Sequence, residues 1–483
     1  MGRKAACIHG HYYQPARENP ITGVIPREEG AYPYRNWNEL IHDQCYRPNA
    51  ELGNFEFISF DIGPTLVNWM ISYDPATLAR IVAQERKNYT RYGVGNGMAQ
   101  PYHHTILPLA PRHDKIAQVI WGIADFEHRF GHRPAGLWLP ESAVDLESLE
   151  ILADCGIEFT ILAPWQAEDF NLDVGQPYWV DLPNQKRIGV FFYHAELSMR
   201  VSFDPGATSN GDRFVSEHIL TNFSSNGHSS DGNQLLIIAS DGELYGHHQP
   251  FRDKFLHYLT QWNGSNTQSV NFTYPGLWLR QHPPTESIKI RENTSWSCHH
   301  GIARWAEPCP CGPNGDWKTQ LRKGLNKIAA AIDEQYIQAF SRYLADPWEM
   351  LYRYVDVMHG KIVLKELMTQ VLRTNLEPDE FHRLDLLLRA QVNKQRMFTS
   401  CGWFFEDFDR LEPRNIVISA AQAVWWTRQA TGVDLIPQAR EWLAMVHSWR
   451  SGLRGDVVFN WQIDRVRNEQ LAFPFMQSES ERF

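Results

Sequence analysis

Short apolar runs alternate with amphipathic segments over roughly the first 285 residues of the chain. Most runs are nearly continuous in apolar or β-branched residues, which is typical of parallel strands covered on both faces. The predicted strands are Lys4–His9, Phe57–Phe60, Gly93–Met98, Ala135–Leu139, Ile157–Leu162, Ile188–Tyr193 and Leu235–Ala239. Seven such strands with intervening helices predict an α/β fold, a seven-stranded (β/α) barrel rather than an open sheet.

The segments between the predicted strands have the spacing of helices with one buried face. Asp114–Phe130 and Asp145–Cys155 carry apolar residues three or four positions apart, the period of an amphipathic helix. Between Ser202 and Asn233 the chain turns to Ser, Asn, Gly and Asp. We therefore predict a surface loop at the rim of the barrel there.

Beyond residue 290 the strand patterns disappear and helical periodicity takes over. The predicted helices are Gln320–Leu344, Pro347–His359, Pro378–Met397 and Asn415–Thr431. The predicted organisation is a barrel domain over 1–290, a mainly helical domain over 291–465 and a tail over 466–483.

Charge and composition narrow the class of protein. The 483 residues include 46 Lys and Arg against 56 Asp and Glu, a formal charge of −10. A protein that binds nucleic-acid phosphates needs a basic face, so nucleic acid is not an expected partner. No apolar run approaches the ~18 to 20 residues of a membrane span, and the N-terminus does not read as a signal peptide. We expect a soluble, cytoplasmic protein whose seven cysteines are reduced.

Aromatic residues are unusually frequent, with 18 Trp, 18 Tyr and 25 Phe making up 13% of the chain. Many such rings pack in protein cores, because burying a large ring stabilises the fold. Alternatively, flat rings line a cleft for a ligand with apolar faces and polar edges, as sugar rings have. Composition leaves both interpretations open.

Four short motifs each lie where a predicted strand runs into a loop, which in a barrel of this type is the functional face. In chain order they are His9-Gly-His11-Tyr-Tyr-Gln-Pro15, His103-His104-Thr-Ile-Leu-Pro108-Leu109, Trp138-Leu-Pro-Glu141 and Asp241-Gly-Glu243-Leu-Tyr-Gly-His247-His248. In the first motif, alternation along an extended chain places His9 and His11 on the same side.

Two of these strand ends deliver carboxylates, Glu141 and Asp241. On a common barrel face they would supply the pair of acids that glycoside cleavage requires. Structural interpretations also exist. The first motif is compatible with buried, hydrogen-bonded histidines. Glu141 is compatible with an N-terminal cap of the helix predicted at Asp145–Cys155, where the helix dipole favours negative charge.

Taken together and in this order, the four motifs resemble those of glycoside hydrolase family 57. His9 to Pro15 is similar to the family's HxHxP-type segment, with wider spacing, and His104 to Leu109 is similar to its second region. Trp138 to Glu141 resembles the WxPE-type strand end that carries the nucleophile. Asp241 to His248 resembles the DxELxGHxx segment, with His248 where many members have Trp.

This resemblance implies a retaining mechanism on α-linked glucans, with Glu141 as nucleophile and Asp241 as acid/base. Retention requires a separation of ~5 to 5.5 Å between the two carboxyl groups. Water as acceptor would make the enzyme an amylase, and a sugar acceptor would make it a transglycosylase of the 4-α-glucanotransferase or branching type. The sequence leaves the acceptor open.

Further residues are expected to bind the glucan. Imidazoles hold sugar hydroxyls because they donate and accept hydrogen bonds in one plane. Indole rings stack on sugars, and a neighbouring carboxylate raises the pKa of the acid/base. The expected substrate-binding residues are His9, His11, His104, Trp138, Trp165, Glu243, His247 and Trp403, the last as part of a lid from the helical domain.

The alternative enzyme is a metal-dependent carbohydrate deacetylase or mannosidase-like hydrolase on a related barrel. In that case His9, His11 and either Asp61 or Asp241 would bind a divalent metal. A third interpretation is a glucan-binding barrel without catalysis. The two-carboxylate mechanism itself needs neither metal nor cofactor, so none is expected in the active site.

A separate group of thiols and imidazoles lies beyond the barrel. Cys298, His299, Cys309 and Cys311 offer the soft ligands of a structural zinc site. Their spacing matches no standard zinc finger, and Cys309-Pro-Cys311 is also compatible with a simple turn.

Overall fold

The computed structural model describes residues 3–19, 22–169, 171–223, 232–261 and 270–472. Eight strands lie in these residues: β1 (Lys4–Tyr12), β2 (Ser59–Ile62), β3 (Gly97–Met98), β4 (Phe159–Leu162), β5 (Tyr178–Asp181), β6 (Arg187–Phe192), β7 (Gln234–Asp241) and β8 (Asn271–Phe272). The helices of the first 300 residues are α1 (Trp37–Ile41), α2 (Arg47–Leu52), α3 (Pro64–Tyr73), α4 (Pro75–Tyr92), α5 (Arg112–Phe130), α6 (Leu146–Asp154), α7 (Ala195–Phe203), α8 (Gly211–Arg213), α9 (Arg252–Thr260) and α10 (Pro275–Gln281).

The regular elements in the rest of the described chain are all helices. They are α11 (Asp316–Phe340), α12 (Trp348–Arg353), α13 (Val355–Met358), α14 (Leu364–Leu372), α15 (Pro378–Arg396), α16 (Cys401–Phe404), α17 (Leu411–Thr431), α18 (Ile436–Leu443) and α19 (Gly455–Ala472). The predicted α/β core with a helical C-terminal region is confirmed. Among the described helices, none has the length and continuous apolar character needed to cross a bilayer.

Two compact units divide the chain, and they interleave in sequence. The first comprises the described parts of Met1–Gln14, Pro26–Tyr102 and Asp125–His299; the second comprises those of Pro15–Ile25, His103–Ala124 and His300–Phe483. Helix α5 contributes to both. The domain boundary at residue 290, expected from the change to helical periodicity, stays a prediction.

The strands of the first unit form two sheets. One has the order β3-β2-β1-β7, with β8 also paired to β1, and the other has the order β4-β6-β5. All pairs are parallel except β5 with β6. The segment predicted as a strand at 135–139 makes only isolated bridges, Ala99 with Leu137 and Gly136 with Phe159. The seven-stranded barrel stays a prediction.

Local capping explains where several helices begin. The Asp74 side chain accepts hydrogen bonds from the first turn of α4, and Asp145 accepts one from Ser148 at the start of α6. Glu141 makes no such cap, so the capping interpretation of that residue is wrong. A closer acceptor, Asp145, already satisfies the turn.

The prediction of a surface loop between Ser202 and Asn233 is wrong for the part of this segment before residue 224. Short helical turns run from Ala207 to Asn222. The polar residues serve as helix signals here, since Asn210 caps the turn and Arg213 pairs with Glu217 one turn later. The Ser-, Asn- and Gly-rich stretch at 224–231 lies outside the described residues.

A buried apolar cluster holds the first unit together. It lies between the two sheets and α10, and its members come from the strands, from segments beside them and from α10: Ala5, Cys7, Met98, Trp138, Phe159, Ile161, Ala163, Phe191, Tyr193, Leu235, Ile237, Ala239, Trp278 and Leu279. Burial of this many large side chains is the main source of its stability.

The second unit is built on long helices, with α15 packed against α17 and α11. A buried ion-pair network lies inside it. The Lys394 ammonium donates to Asp114 at 2.8 Å and to Asp333 at 2.7 Å. His113 and the two aspartates form a group of metal-ligand type, but the lysine already supplies the positive charge that the carboxylates require.

Candidate active site

Strand register places three polar side chains side by side in the first unit. His11 on β1 is level with Asp61 on β2 and with Asp241 on β7. In parallel strands, residues at the same level project on the same side of the sheet. The C-terminal ends of β1, β2 and β7 therefore bring an imidazole between two carboxylates.

Glu141 lies in a strained turn. Its backbone has φ of 57° and that of Ser142 has φ of 47°, both in the left-handed region that non-glycine residues rarely adopt. Gln166 helps to hold the turn by donating to the Ser142 carbonyl at 2.8 Å. Each such residue costs on the order of 1 to 3 kcal/mol, and such costs concentrate at functional sites.

Two donors fix the Glu141 carboxylate. The Ser297 hydroxyl donates to Oε2 at 2.6 Å, and the Trp296 indole N–H donates to the same oxygen at 3.2 Å. The Trp296 backbone N–H also donates to the Glu141 carbonyl at 2.9 Å. The 296–297 segment thus orients this carboxylate through Oε2 and makes Oε1 the oxygen not engaged by these two donors.

Opposing effects set the pKa of Glu141. Burial raises it, the hydrogen bond from Ser297 lowers it, and the charge of Asp241 raises it again. The net result is a pKa above the ordinary glutamate value. Because the charge of Asp241 affects the pKa of Glu141, the two carboxyl groups interact electrostatically within the first unit.

His9, His11 and Asp61 form a buried network. His9 hydrogen-bonds to Ser59 at 3.0 Å and to Asp61 Oδ1 at 3.2 Å, while His11 hydrogen-bonds to Asp61 Oδ2 at 2.8 Å. Burial lowers the pKa of His9. For His11 burial also disfavours the charge, but the Asp61 carboxylate outweighs it and raises the pKa to about 9.

The network therefore holds a positive charge on His11 at neutral pH. The two histidines use different oxygens of Asp61 and do not share a single ligand position between them. This arrangement resembles an ion-pair network more closely than a preformed metal site.

Aromatic rings surround the histidines. Trp138 is fully buried and stacks on His9 at 4.6 Å and on His11 at 5.5 Å between ring centroids. Trp296 meets Trp138 edge-on at 5.0 Å. Trp165 is half-buried, and its indole N–H donates to the Ser295 carbonyl at 2.9 Å. Trp165 and Trp296 thus combine accessible ring surface with a fixed orientation.

Asp241 and Glu243 occupy different environments after β7. The Asp241 carboxylate opens to solvent on one side, and the protein packed around it raises its pKa, while His11 and His248 oppose that shift. Glu243 is buried and accepts hydrogen bonds from the Tyr46 hydroxyl at 2.7 Å and the Tyr13 backbone at 3.1 Å. Burial raises the pKa of Glu243 to about 7.

Gly242 separates these acids, and its lack of a side chain is required. A Cβ there would lie 2.4 Å from the Tyr12 ring. Glycine lets the chain turn tightly over that ring.

The remaining predicted site residues are His247, His104 and Trp403. His247 is half-buried, hydrogen-bonds to Gln44 at 2.7 Å, and has its pKa lowered to about 4 by burial and by His248. His104 belongs to the second unit, where it hydrogen-bonds to Ser400 at 2.6 Å. Trp403 also belongs to the second unit, fully buried with Arg322 over its ring at 3.7 Å. Their roles toward substrate stay predictions.

Sequence reasoning missed three residues that contact the predicted site: Tyr46, Trp296 and Ser297. It gave Asp61, which follows the predicted strand Phe57–Phe60, only as an alternative metal ligand beside His9 and His11, and the structure makes it the hydrogen-bond partner of both. Trp296 and Ser297 had been placed with the helical region, but they lie in the first unit against Glu141. No local pattern marks a contact between residues 156 positions apart.

The cluster can support acid–base and nucleophilic chemistry at one place. Glu141 and Asp241 both have raised pKa values, one fixed by two donors and the other open to solvent. A protonated imidazole lies between Asp61 and Asp241. The α/β fold and the two carboxyl groups are the features expected of a carbohydrate-active protein.

A comparison with models of known protein families identifies the family of this chain. The model of glycosyl hydrolase family 57 matches residues 33–291, more than half of the chain. The chain therefore belongs to glycosyl hydrolase family 57. A second model, a domain of unknown function (DUF3536), matches residues 314–471, which carry helices α11 to α19.

A curated relative is an alpha-amylase from Pyrococcus abyssi, 23% identical over 215 residues. That match covers 43% of this chain and 30% of the amylase, so the chain matches less than a third of this relative's length.

Solved structures share the fold over most of the chain. An exo-type maltose-forming amylase from Pyrococcus sp. ST04 has a TM-score of 0.70 at 16% identity, covering 98% of this chain and 84% of its own. A branching enzyme from Thermococcus kodakaraensis has a TM-score of 0.62 at 14% identity, covering 94% of this chain and 96% of its own.

Proposed function

We propose that the protein is a retaining glycoside hydrolase or transglycosylase acting on α-linked glucans. Glu141 is the nucleophile and Asp241 the general acid/base. Family membership supports the reaction class, and the named activities of the relatives, amylase and branching enzyme, support the substrate class.

The observation that carries the proposal is the way Glu141 is held. A nucleophilic carboxylate must be ionised and must present one oxygen to the anomeric carbon. Ser297 and Trp296 donate to Oε2, which stabilises the anion and directs Oε1 toward the reacting carbon. The strained backbone at Glu141 and Ser142 lowers the stability of the fold, and this cost is consistent with a functional need to orient the Glu141 carboxylate.

Asp241 has the properties of a proton carrier. Its raised pKa keeps it protonated up to a higher pH than an ordinary aspartate, and its exposure lets it reach the leaving oxygen. After the sugar leaves, the resulting carboxylate takes a proton from the incoming water or sugar hydroxyl. The negative charge of Asp61 also raises the pKa of Asp241 and so favours its protonated form.

His11 serves as the fixed positive charge of the site. It lowers the pKa of both acids and offsets their mutual repulsion. His9 positions Asp61, which in turn keeps His11 protonated. We propose that Trp165 and Trp296 stack on sugar rings above the buried Trp138, and that His247 binds hydroxyls at the rim.

Product analysis on maltooligosaccharides and amylose tests the proposal. Reducing ends, chain-length redistribution and 1,6-branch formation are followed together for the wild type, Glu141→Gln and Glu51→Gln. Glu51 is an exposed glutamate of the first unit and is the matched control. Loss of all three products in Glu141→Gln alone supports the proposal, and their ratio in the wild type distinguishes hydrolysis from transfer. Equal activity in Glu141→Gln and the wild type would refute it.

The anomeric configuration of the first product provides an independent check. Proton NMR during the first turnovers should show an α-configured reducing end, since two displacements retain configuration. An initial β-anomer would require direct attack by water and would contradict a nucleophilic Glu141.

A further inference from the structure

Three metal-ligating side chains converge in the second unit. His300 Nδ1 lies 3.3 Å from Cys311 Sγ and 3.5 Å from Cys309 Sγ. Cys309 is buried, whereas His300 and Cys311 are exposed. Neither the proposed glycoside chemistry nor the ion-pair network of Lys394 uses these groups.

The backbone presents the two thiols from one tight turn. The Gly312 N–H donates to the Cys309 carbonyl at 3.1 Å, which closes a four-residue turn with Pro310 at its second position. Proline fixes its own φ and so reduces the freedom of Cys309 and Cys311 before any ligand binds.

Ligand type and spacing both fit zinc. Zinc binds thiolate sulfur at about 2.3 Å and imidazole nitrogen at about 2.0 to 2.1 Å in tetrahedral sites. Ligands at these distances stand roughly 3.5 to 4 Å apart around the ion. The separations of His300 Nδ1 from the two sulfurs are close to this range.

We propose that the protein binds one zinc ion through His300, Cys309 and Cys311, and that the ion cross-links the two ends of the 300–311 segment. This inference is independent of the proposed glycoside activity. It also replaces His299 of the sequence-based zinc hypothesis with His300, because the His299 ring contacts Trp165 instead, 5.6 Å away.

The ion would secure a segment with little regular structure. Between His300 and Cys309 the chain has only the short helical turn Ala303–Trp305. Trp305 is fully buried, and its carbonyl accepts two hydrogen bonds from Arg322, at 2.9 and 2.7 Å. Zinc would thus hold the loop that anchors Arg322.

Metal analysis of the full-length protein, purified under reducing conditions without a metal-binding tag, tests the proposal. The variants are His300→Ala, His299→Ala and Cys311→Ala. Both His300 and Cys311 are exposed, so the folded protein should tolerate their loss. The wild type and His299→Ala should hold one zinc per chain. His300→Ala and Cys311→Ala should lose at least about 10- to 100-fold in zinc affinity, the loss seen when even outer partners of a ligand are removed.

Cobalt replacement reports the ligands directly. Co²⁺ in the zinc-depleted wild type should show sulfur-to-metal charge-transfer and tetrahedral d–d bands, both weakened in Cys311→Ala and unchanged in His299→Ala. Wild-type protein without zinc after growth in zinc-supplemented medium would overturn the proposal. Equal zinc in His300→Ala and His299→Ala would overturn it too, as would a Cys309–Cys311 disulfide in the freshly purified protein.

Discussion

Removing the Ser297 hydroxyl should shift the pH dependence of catalysis without removing the catalytic groups. This hydroxyl donates to Glu141 Oε2 at 2.6 Å and lowers the pKa of that carboxyl. Hydrogen bonds to charged groups contribute about 1.5 to 3 kcal/mol. At about 1.4 kcal/mol per pH unit, Ser297→Ala should raise the pKa of Glu141 by roughly 1 to 2 units.

The assay is the pH profile of kcat/KM on a maltooligosaccharide, which reports groups of the free enzyme. In the proposed mechanism only the ionised form of Glu141 attacks, so the acidic limb of the profile should move to higher pH by the same 1 to 2 units. Activity should fall about 10- to 100-fold on that limb and change much less on the plateau. The Trp296 N–H continues to orient the carboxylate.

Ser295→Ala is the matched control, because its hydroxyl lies two residues away and donates to the Cys298 carbonyl rather than to a carboxylate. Its acidic limb should coincide with that of the wild type. An unchanged acidic limb in Ser297→Ala, or the same shift in both variants, would refute the assignment of that limb to Glu141.

Three further predictions follow from the charges. Asp241→Asn should lower kcat/KM on glucans about 10²- to 10⁴-fold while retaining more of kcat/KM on α-glucosyl fluoride, whose leaving group needs no proton; equal losses of kcat/KM on both substrates would contradict the acid role. The pKa of His11 is raised to about 9 in the folded protein. Its charge therefore contributes roughly 3 kcal/mol to the free energy of unfolding below pH ~6.5, and this contribution is lost as the pH rises toward ~9. Urea unfolding at several pH values should show the loss in the wild type but not in His11→Asn, and the same pH dependence of the unfolding free energy in both proteins would contradict it. Lys394→Met should lower the free energy of unfolding by about 3 to 5 kcal/mol, since it leaves Asp114 and Asp333 buried without their cation. Lys365→Met, at an exposed lysine, is the control. Equal unfolding free energies of the two variants in urea titrations would contradict a stabilising role of the ion-pair network.

Periodic patterns were sufficient for the larger elements of the fold. The helix predicted at Pro378–Met397 is observed at Pro378–Arg396, and the run ending at Ala239 is the core of β7. These succeed because hydrophobic spacing reflects burial along one element. The polar stretch after Ser202 was misread, since capping residues and loop residues have the same composition.

Strand ends also indicated the carboxylates, because a charged residue after a buried strand is visible in sequence. The partners of those carboxylates were not visible. Ser297 contacts Glu141 although 156 residues separate them in the chain. A helix cap was one interpretation of Glu141, because Glu141 and the observed cap Asp145 both lie before the same helix. Likewise, sequence alone could not choose between the adjacent His299 and His300. Only the three-dimensional arrangement determines which imidazole faces the thiols.

The central claim is that Glu141 forms the covalent glycosyl intermediate. Incubation with a fluorinated α-glucosyl fluoride, which slows hydrolysis of that intermediate, followed by peptide mass spectrometry, tests it most directly. We predict one sugar adduct per chain, located on Glu141 and absent from Glu141→Gln, with labelling retained in Glu51→Gln. Labelling of another carboxylate, such as Asp241, or of Glu141→Gln to the same extent as the wild type, would contradict the claim.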